Sequence, residues 1–150
     1  MQIEELIERY GNDILRLCSI YLGDRQLAQD AFQETFVKAW KALDTFRGDS
    51  SMKTWLSHIA VNTCRDLLRS AWWKRTVPLE YAFHVPGNES DETICLLYKL
   101  PPKYRVVLYL HYYEQYTTPE ISQLLKIPQG TVSTRLSRAR EQLKKMLKEG

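Results

Sequence analysis

The chain has 150 residues, 44% of them apolar and 26% charged, enough to bury one core or two small ones in an ordinary globular protein. No run reaches the roughly 18 to 20 apolar residues of a membrane span, and glutamates stand where a signal peptide is basic and then apolar, so a cytoplasmic location without membrane insertion is expected. The net charge of +3 is uneven: nine basic residues stand against four acidic ones between 101 and 150, whereas Glu80, Glu89, Asp91 and Glu92 outweigh Lys99 between 76 and 100.

Ile3, Leu6, Ile7, Tyr10, Ile14, Leu17, Cys18 and Tyr21 recur at steps of three and four, which predicts a helix with one buried face ending near Gly23. Asp24 is suited to start a second helix, with Ala28, Phe32, Phe36, Ala39 and Leu43 inward, which stops before the turn-forming Phe46-Arg47-Gly48-Asp49-Ser50. A third is expected from Ser51 to about Trp73, burying Met52, Trp55, Leu56, Ile59 and Leu67 or Leu68. Residues 76–90 hold Pro78 and Pro86-Gly87-Asn88 without any period and read as a flexible linker. A short helix near Asp91–Lys99 follows, then another opened by Pro101 and Pro102 and largely buried through Val106, Val107, Leu108 and Leu110.

Thr117-Thr118-Pro119-Glu120 is a capping-box sequence, and Ile121, Leu124 and Leu125 give the short helix behind it an apolar face before Lys126-Ile127-Pro128 breaks it. The next helix starts at Gln129 and turns Val132, Leu136, Ala139, Leu143 and Leu147 inward, leaving Thr131, Ser133, Thr134, Arg135, Arg138 and Lys145 outward. This is a helix-turn-helix, which presents the first turns of its second helix to base edges in the major groove of duplex DNA. Arg135 and Arg138 carry the fork that suits guanine or phosphate, and Ser133 and Thr134 are short enough for close approach. Arg140, Lys144, Lys145 and Lys148 suit the phosphate backbone, although lysines in a last turn also complement the dipole of any helix.

Cys18, Cys64 and Cys95 are far apart, with no Cys-x-x-Cys pair, and read as reduced thiols in apolar positions. His58, His84 and His111 are equally scattered, so neither a metal nor another cofactor is expected. No nucleophile-base pair, phosphate loop or carboxylate pair argues for an enzyme. Architecture and charge together give an all-α chain: a three-helix bundle over 1–75, a linker over 76–90 and a helix-turn-helix domain over 91–150.

Gly130-Thr131-Val132-Ser133-Thr134-Arg135-Leu136-Ser137-Arg138-Ala139-Arg140 resembles the recognition-helix stretch of extracytoplasmic-function sigma factors of bacterial RNA polymerase. Asp30-Ala31-Phe32-Gln33-Glu34-Thr35-Phe36-Val37-Lys38-Ala39-Trp40 resembles that family's polymerase-binding helix. Phe46-Arg47-Gly48, Thr54-Trp55-Leu56, Ile59-Ala60 and Asn62 resemble its promoter-melting segment, and Leu100-Pro101-Pro102-Lys103-Tyr104-Arg105 the entry to its C-terminal domain. The resemblance implies partners: core RNA polymerase through its beta-prime coiled coil, promoter DNA, and an anti-sigma factor, with the free chain a monomer.

It also implies roles. Gln129, Thr131, Ser133, Thr134, Arg135, Arg138, Arg140 and Lys145 would serve the -35 duplex. Phe46, Arg47, Gly48, Asp49 and Ser50, with His58, Asn62, Arg65 and Arg69 at steps of four, three and four, would serve the opened -10 strand. Asp30, Gln33, Glu34 and Val37, on one stripe, would meet the polymerase; without the resemblance a solvated acidic face explains them too. Val61 departs from a commonly basic position, and Ser122 and Lys126 replace a small residue and a turn glycine. A lysine at positive φ costs on the order of 1 kcal/mol, so a different type of turn is expected there. A free-standing regulator whose N-terminal bundle dimerises is the competing reading.

Overall fold

The computed structural model describes residues 2–74 and 92–149, which are helical and contain no strand. They fall into two compact units, one holding the first three helices and the other the remaining four. The predicted linker at 76–90 lies outside the described residues.

In the first unit α1 (Ile3–Leu22), α2 (Arg25–Ala42) and α3 (Met52–Lys74) pack against one another. Local chemistry sets their ends. Gly23 adopts φ 66° and returns its N–H to the Ser19 carbonyl, closing α1 with a left-handed residue that glycine adopts without strain. Asp24 then accepts the Leu27 N–H at 2.7 Å and opens α2, while the Ser51 hydroxyl accepts the Thr54 N–H at 3.1 Å and opens α3.

Leu6, Ile14, Ile20, Leu56, Ala60 and Val61 are fully buried, and each large member contributes about 1.5 to 3 kcal/mol to the core. The buried side of α3 is rotated from the predicted one. Val61 and Cys64 are buried, Ile59 is only half-buried, and Leu68 is exposed. Small and hydroxylic residues cause this: Ala31 and Thr35 of α2 and Ala60 and Thr63 of α3 are inside, and the Thr35 and Thr63 hydroxyls donate to the Ala31 and Ile59 carbonyls of their own helices. Ile7 of α1 is likewise exposed rather than inward. Gly11 is buried against Phe32, whose ring carbons would lie 3.7 Å from an added Cβ. Of the three free thiols Cys18 and Cys64 are buried as expected, whereas Cys95 is exposed. Hydrogen bonding with Cys18, followed by burial, pushes the Cys64 thiol up from its usual pKa.

The second unit runs through α4 (Glu92–Leu97), α5 (Pro102–Leu108), a π-helical turn over Tyr109–Tyr113, α6 (Thr118–Leu125) and α7 (Gln129–Glu149). Pro102 occupies the first turn of α5, where no N–H is needed, and Tyr104 to Leu110 are buried without interruption. Arg105 is buried with them, its guanidinium 5.4 Å from the Tyr98 ring centre, and desolvation lowers its pKa. The π-turn has no counterpart in the sequence-based expectation. There the Glu114 N–H bonds the Tyr109 carbonyl, Tyr113 stacks on Tyr109 at 5.0 Å, and the Tyr109 hydroxyl donates to Glu114. On α7 Val132, Leu136 and Ala139 are buried as expected, but Leu147 is 61% exposed rather than inward.

Candidate nucleic-acid interface

The helix-turn-helix begins with both bonds of a capping box. The Glu120 N–H donates to the Thr117 hydroxyl at 3.3 Å, and the Thr117 N–H donates to the Glu120 carboxylate at 2.9 Å. Ile121, Leu124 and Leu125 then anchor α6. The turn after it corrects the expectation of another turn type: Lys126 sits at φ 58° and ψ 46°, the left-handed conformation usually left to glycine. Ser122 offsets the strain. Its hydroxyl donates to the Ile127 carbonyl at 2.5 Å, and its own carbonyl accepts the Lys126 and Ile127 N–H groups. Lys126→Gly is therefore expected to raise stability by about 0.5 to 1 kcal/mol, less the entropy glycine adds to the unfolded chain, as a higher midpoint in thermal melts.

α7 follows after Pro128, with Gln129, Ser133, Thr134, Arg138 and Lys145 exposed and Thr131 and Arg135 half-buried. Ser133, Thr134 and Arg138 thus share the side away from Val132, Leu136 and Ala139. Arg140 is exposed as well, and at about 100° per residue it lies about 160° round the axis from Arg138 but only about 20° from Ser133. Its guanidinium donates to the Tyr112 hydroxyl and stands 5.9 Å from the centre of that ring. No local pattern points to this pairing of residues 28 positions apart.

In the first unit Arg47, Gly48, Asp49 and Ser50 are exposed, and Gly48 has φ 80°. Phe46 is half-buried instead, its ring 5.3 Å from that of Trp55. Trp55 is half-buried as well, so it lines the base of the loop as much as the core. Along α3 His58, Asn62 and Arg65 are half-buried and Arg69 exposed, with the Arg65 guanidinium donating to Asn62 Oδ1 at 3.0 Å. That bond fixes the Asn62 amide group so that its NH₂ points away from Arg65.

Asp30, Gln33, Glu34 and Val37 are all exposed on α2. Gln26 donates to Asp30 at 3.1 Å, and Lys38 lies 3.7 Å from Glu34 while donating to the Thr63 hydroxyl of α3. Trp40, three residues beyond Val37, extends the stripe and is 62% exposed. It was not assigned a role from the sequence. Its spacing from Gln33 and Val37 was the available signal, since a tryptophan on an acidic outward stripe has no core to enter.

The family model for sigma-70 region 2 matches residues 6–74, and that for sigma-70 region 4 matches residues 90–143. The chain is 31% identical over 169 residues to the extracytoplasmic-function (ECF) RNA polymerase sigma factor SigW of Bacillus subtilis, covering 97% of this chain and 88% of that one. The chain belongs to the ECF sigma factors. This sigma factor is also 35% identical over 162 residues to the RNA polymerase sigma-H factor of Pseudomonas aeruginosa, covering 95% and 84% of the two chains. Its fold matches that of the sigma factor RpoE of Bartonella quintana, solved with the anti-sigma factor NepR, with a TM-score of 0.79 at 22% identity over 97% and 96% of the chains. CnrH, solved with the cytosolic domain of CnrY, matches with a TM-score of 0.65 at 27% identity over 98% and 88%. The chain is accordingly an alternative RNA polymerase sigma factor for transcription initiation. Among the described residues no helix is long and apolar enough to cross a membrane.

Proposed function

We propose that this sigma factor, a monomer when free in the cytoplasm, joins core RNA polymerase and carries it to promoters through two separate DNA contacts. α7 reads the -35 element as duplex, through Gln129, Thr131, Ser133, Thr134, Arg135 and Arg138, with Lys145 toward the backbone. The observation that carries this reading is the outward turn Ser133–Arg138, held on a fully capped and anchored α6. Residues 1–75 and 91–150 act as the two working domains, with 76–90 as their connection.

The stripe Asp30, Gln33, Glu34 and Val37, with Trp40, meets the polymerase beta-prime coiled coil. Arg47 to Ser50, Phe46 at their base, and His58, Asn62, Arg65 and Arg69 receive the -10 strand as it opens. A basic track beside short polar groups supports this, because single strands need cations for phosphates and a site for an unstacked base. The complex of RpoE with NepR supports an anti-sigma factor as a further partner.

Run-off transcription tests the proposal. Core polymerase is expected to start specific transcripts on addition of the chain and to start none without it. Tight binding of a dimer to a palindromic duplex, with no transcript, would establish a free-standing regulator instead.

A further inference from the structure

We propose that Tyr112 and Arg140 form a clasp that positions α7 for reading duplex DNA, and that Arg140 itself touches no phosphate. The inference rests on the -35 reading above. Arg140 is committed elsewhere: one guanidinium N–H goes to the Tyr112 hydroxyl, and the cation stands over the Tyr112 ring.

The π-turn explains how the partner arrives. Five residues are spent where an α-helix spends four, which changes the azimuth of everything after it and carries Tyr112 out to α7. Tyr112 is 55% exposed, so burial alone does not fix it. The clasp itself lines an open apolar cleft of about 360 Å³, together with Ile94 and Leu97 of α4, Leu108 and Tyr109, and Leu143 of α7. Along this flank the open cleft leaves α7 with fewer partner atoms than a filled core would give it. The clasp is the polar cross-link there. A helix moves as a rod, so loosening it near residue 140 swings the outward turn near residue 134, about 9 Å away along the axis. Readout of base edges tolerates errors of only about 0.5 Å.

The test uses the full chain and a duplex that the chain has selected from a random pool, beside a scrambled duplex, with affinities taken across a salt series. Tyr112→Phe, which keeps the ring, and Arg140→Ala are each expected to cut discrimination between the duplexes by about threefold to tenfold, with the double variant no worse than the poorer single one. The salt dependence should match that of the wild-type chain. A slope reduced by about one in Arg140→Ala makes Arg140 a phosphate contact and overturns the clasp. Additive losses, or unchanged discrimination in Tyr112→Phe, overturn it as well. Tyr112→Phe decides the matter if Arg140→Ala fails to fold. A wild-type chain that treats both duplexes alike sinks the -35 reading and this inference together, whereas wild-type discrimination with a lowered Arg140→Ala slope sinks this inference alone.

Discussion

Trp40→Ala is expected to weaken binding to core RNA polymerase by about 2 kcal/mol or more, roughly 30-fold in Kd, while leaving thermal stability nearly unchanged. The side chain is 62% exposed, so its removal opens no hole in the bundle, whereas a tryptophan desolvated at the centre of a contact is the commonest kind of hot spot. Asp30→Ala and Glu34→Ala should cost less individually and act mainly on the association rate, in a salt-dependent way, because exposed carboxylates steer more than they hold. Titration of fluorescently labelled chain with core enzyme measures all three. A Trp40→Ala chain that binds within twofold of the wild type removes α2 from the polymerase contact as drawn here.

Arg138→Ala is expected to erase about tenfold to hundredfold of the preference for the -35 duplex, the worth of a bidentate arginine on guanine. Arg138 is exposed on the outward side of α7, so the fork is available to DNA. Electrophoretic mobility shifts against single-base variants of the selected duplex locate the effect. Loss concentrated at one base pair identifies a base contact. A uniform loss on every duplex, with the salt slope lowered by about one, assigns Arg138 to a phosphate and leaves specificity to its neighbours.

Helix ends were legible in the sequence because they are decided within four residues: Gly23, Asp24, the Thr117 and Glu120 pair and Pro102 act where they were expected. The outward side of α2 and most of the outward side of α7 were legible for the same reason, since periodicity alone sorts inside from outside on an amphipathic helix. The inner side of α3 was not. It is closed by Ala60, Val61 and Thr63, and apolar size does not single these out from Ile59 and Leu68. The Lys126 turn was misjudged because its strain is real, but the compensating Ser122 hydroxyl is a specific bond that no propensity contains. The contact of Arg140 with Tyr112 was not legible because the partner is 28 residues away, beyond any local rule, and reaches it through a turn whose hydrogen bonding has no sequence signature. Trp40 was passed over although its spacing from Gln33 and Val37 already set it on the outward stripe.

The π-turn makes the second unit intolerant of a change that most helices absorb at a terminus. Deleting any one residue between Tyr109 and Tyr113 would restore a regular ladder of hydrogen bonds, an apparent gain, yet would wind every later position about 100° around the axis. His111 would leave the Tyr116 carbonyl it now faces at 3.1 Å, and the connection into the capping box at Thr117 would start from the wrong side. Chain length in this stretch is thus a fixed quantity, as binding as the identity of any side chain.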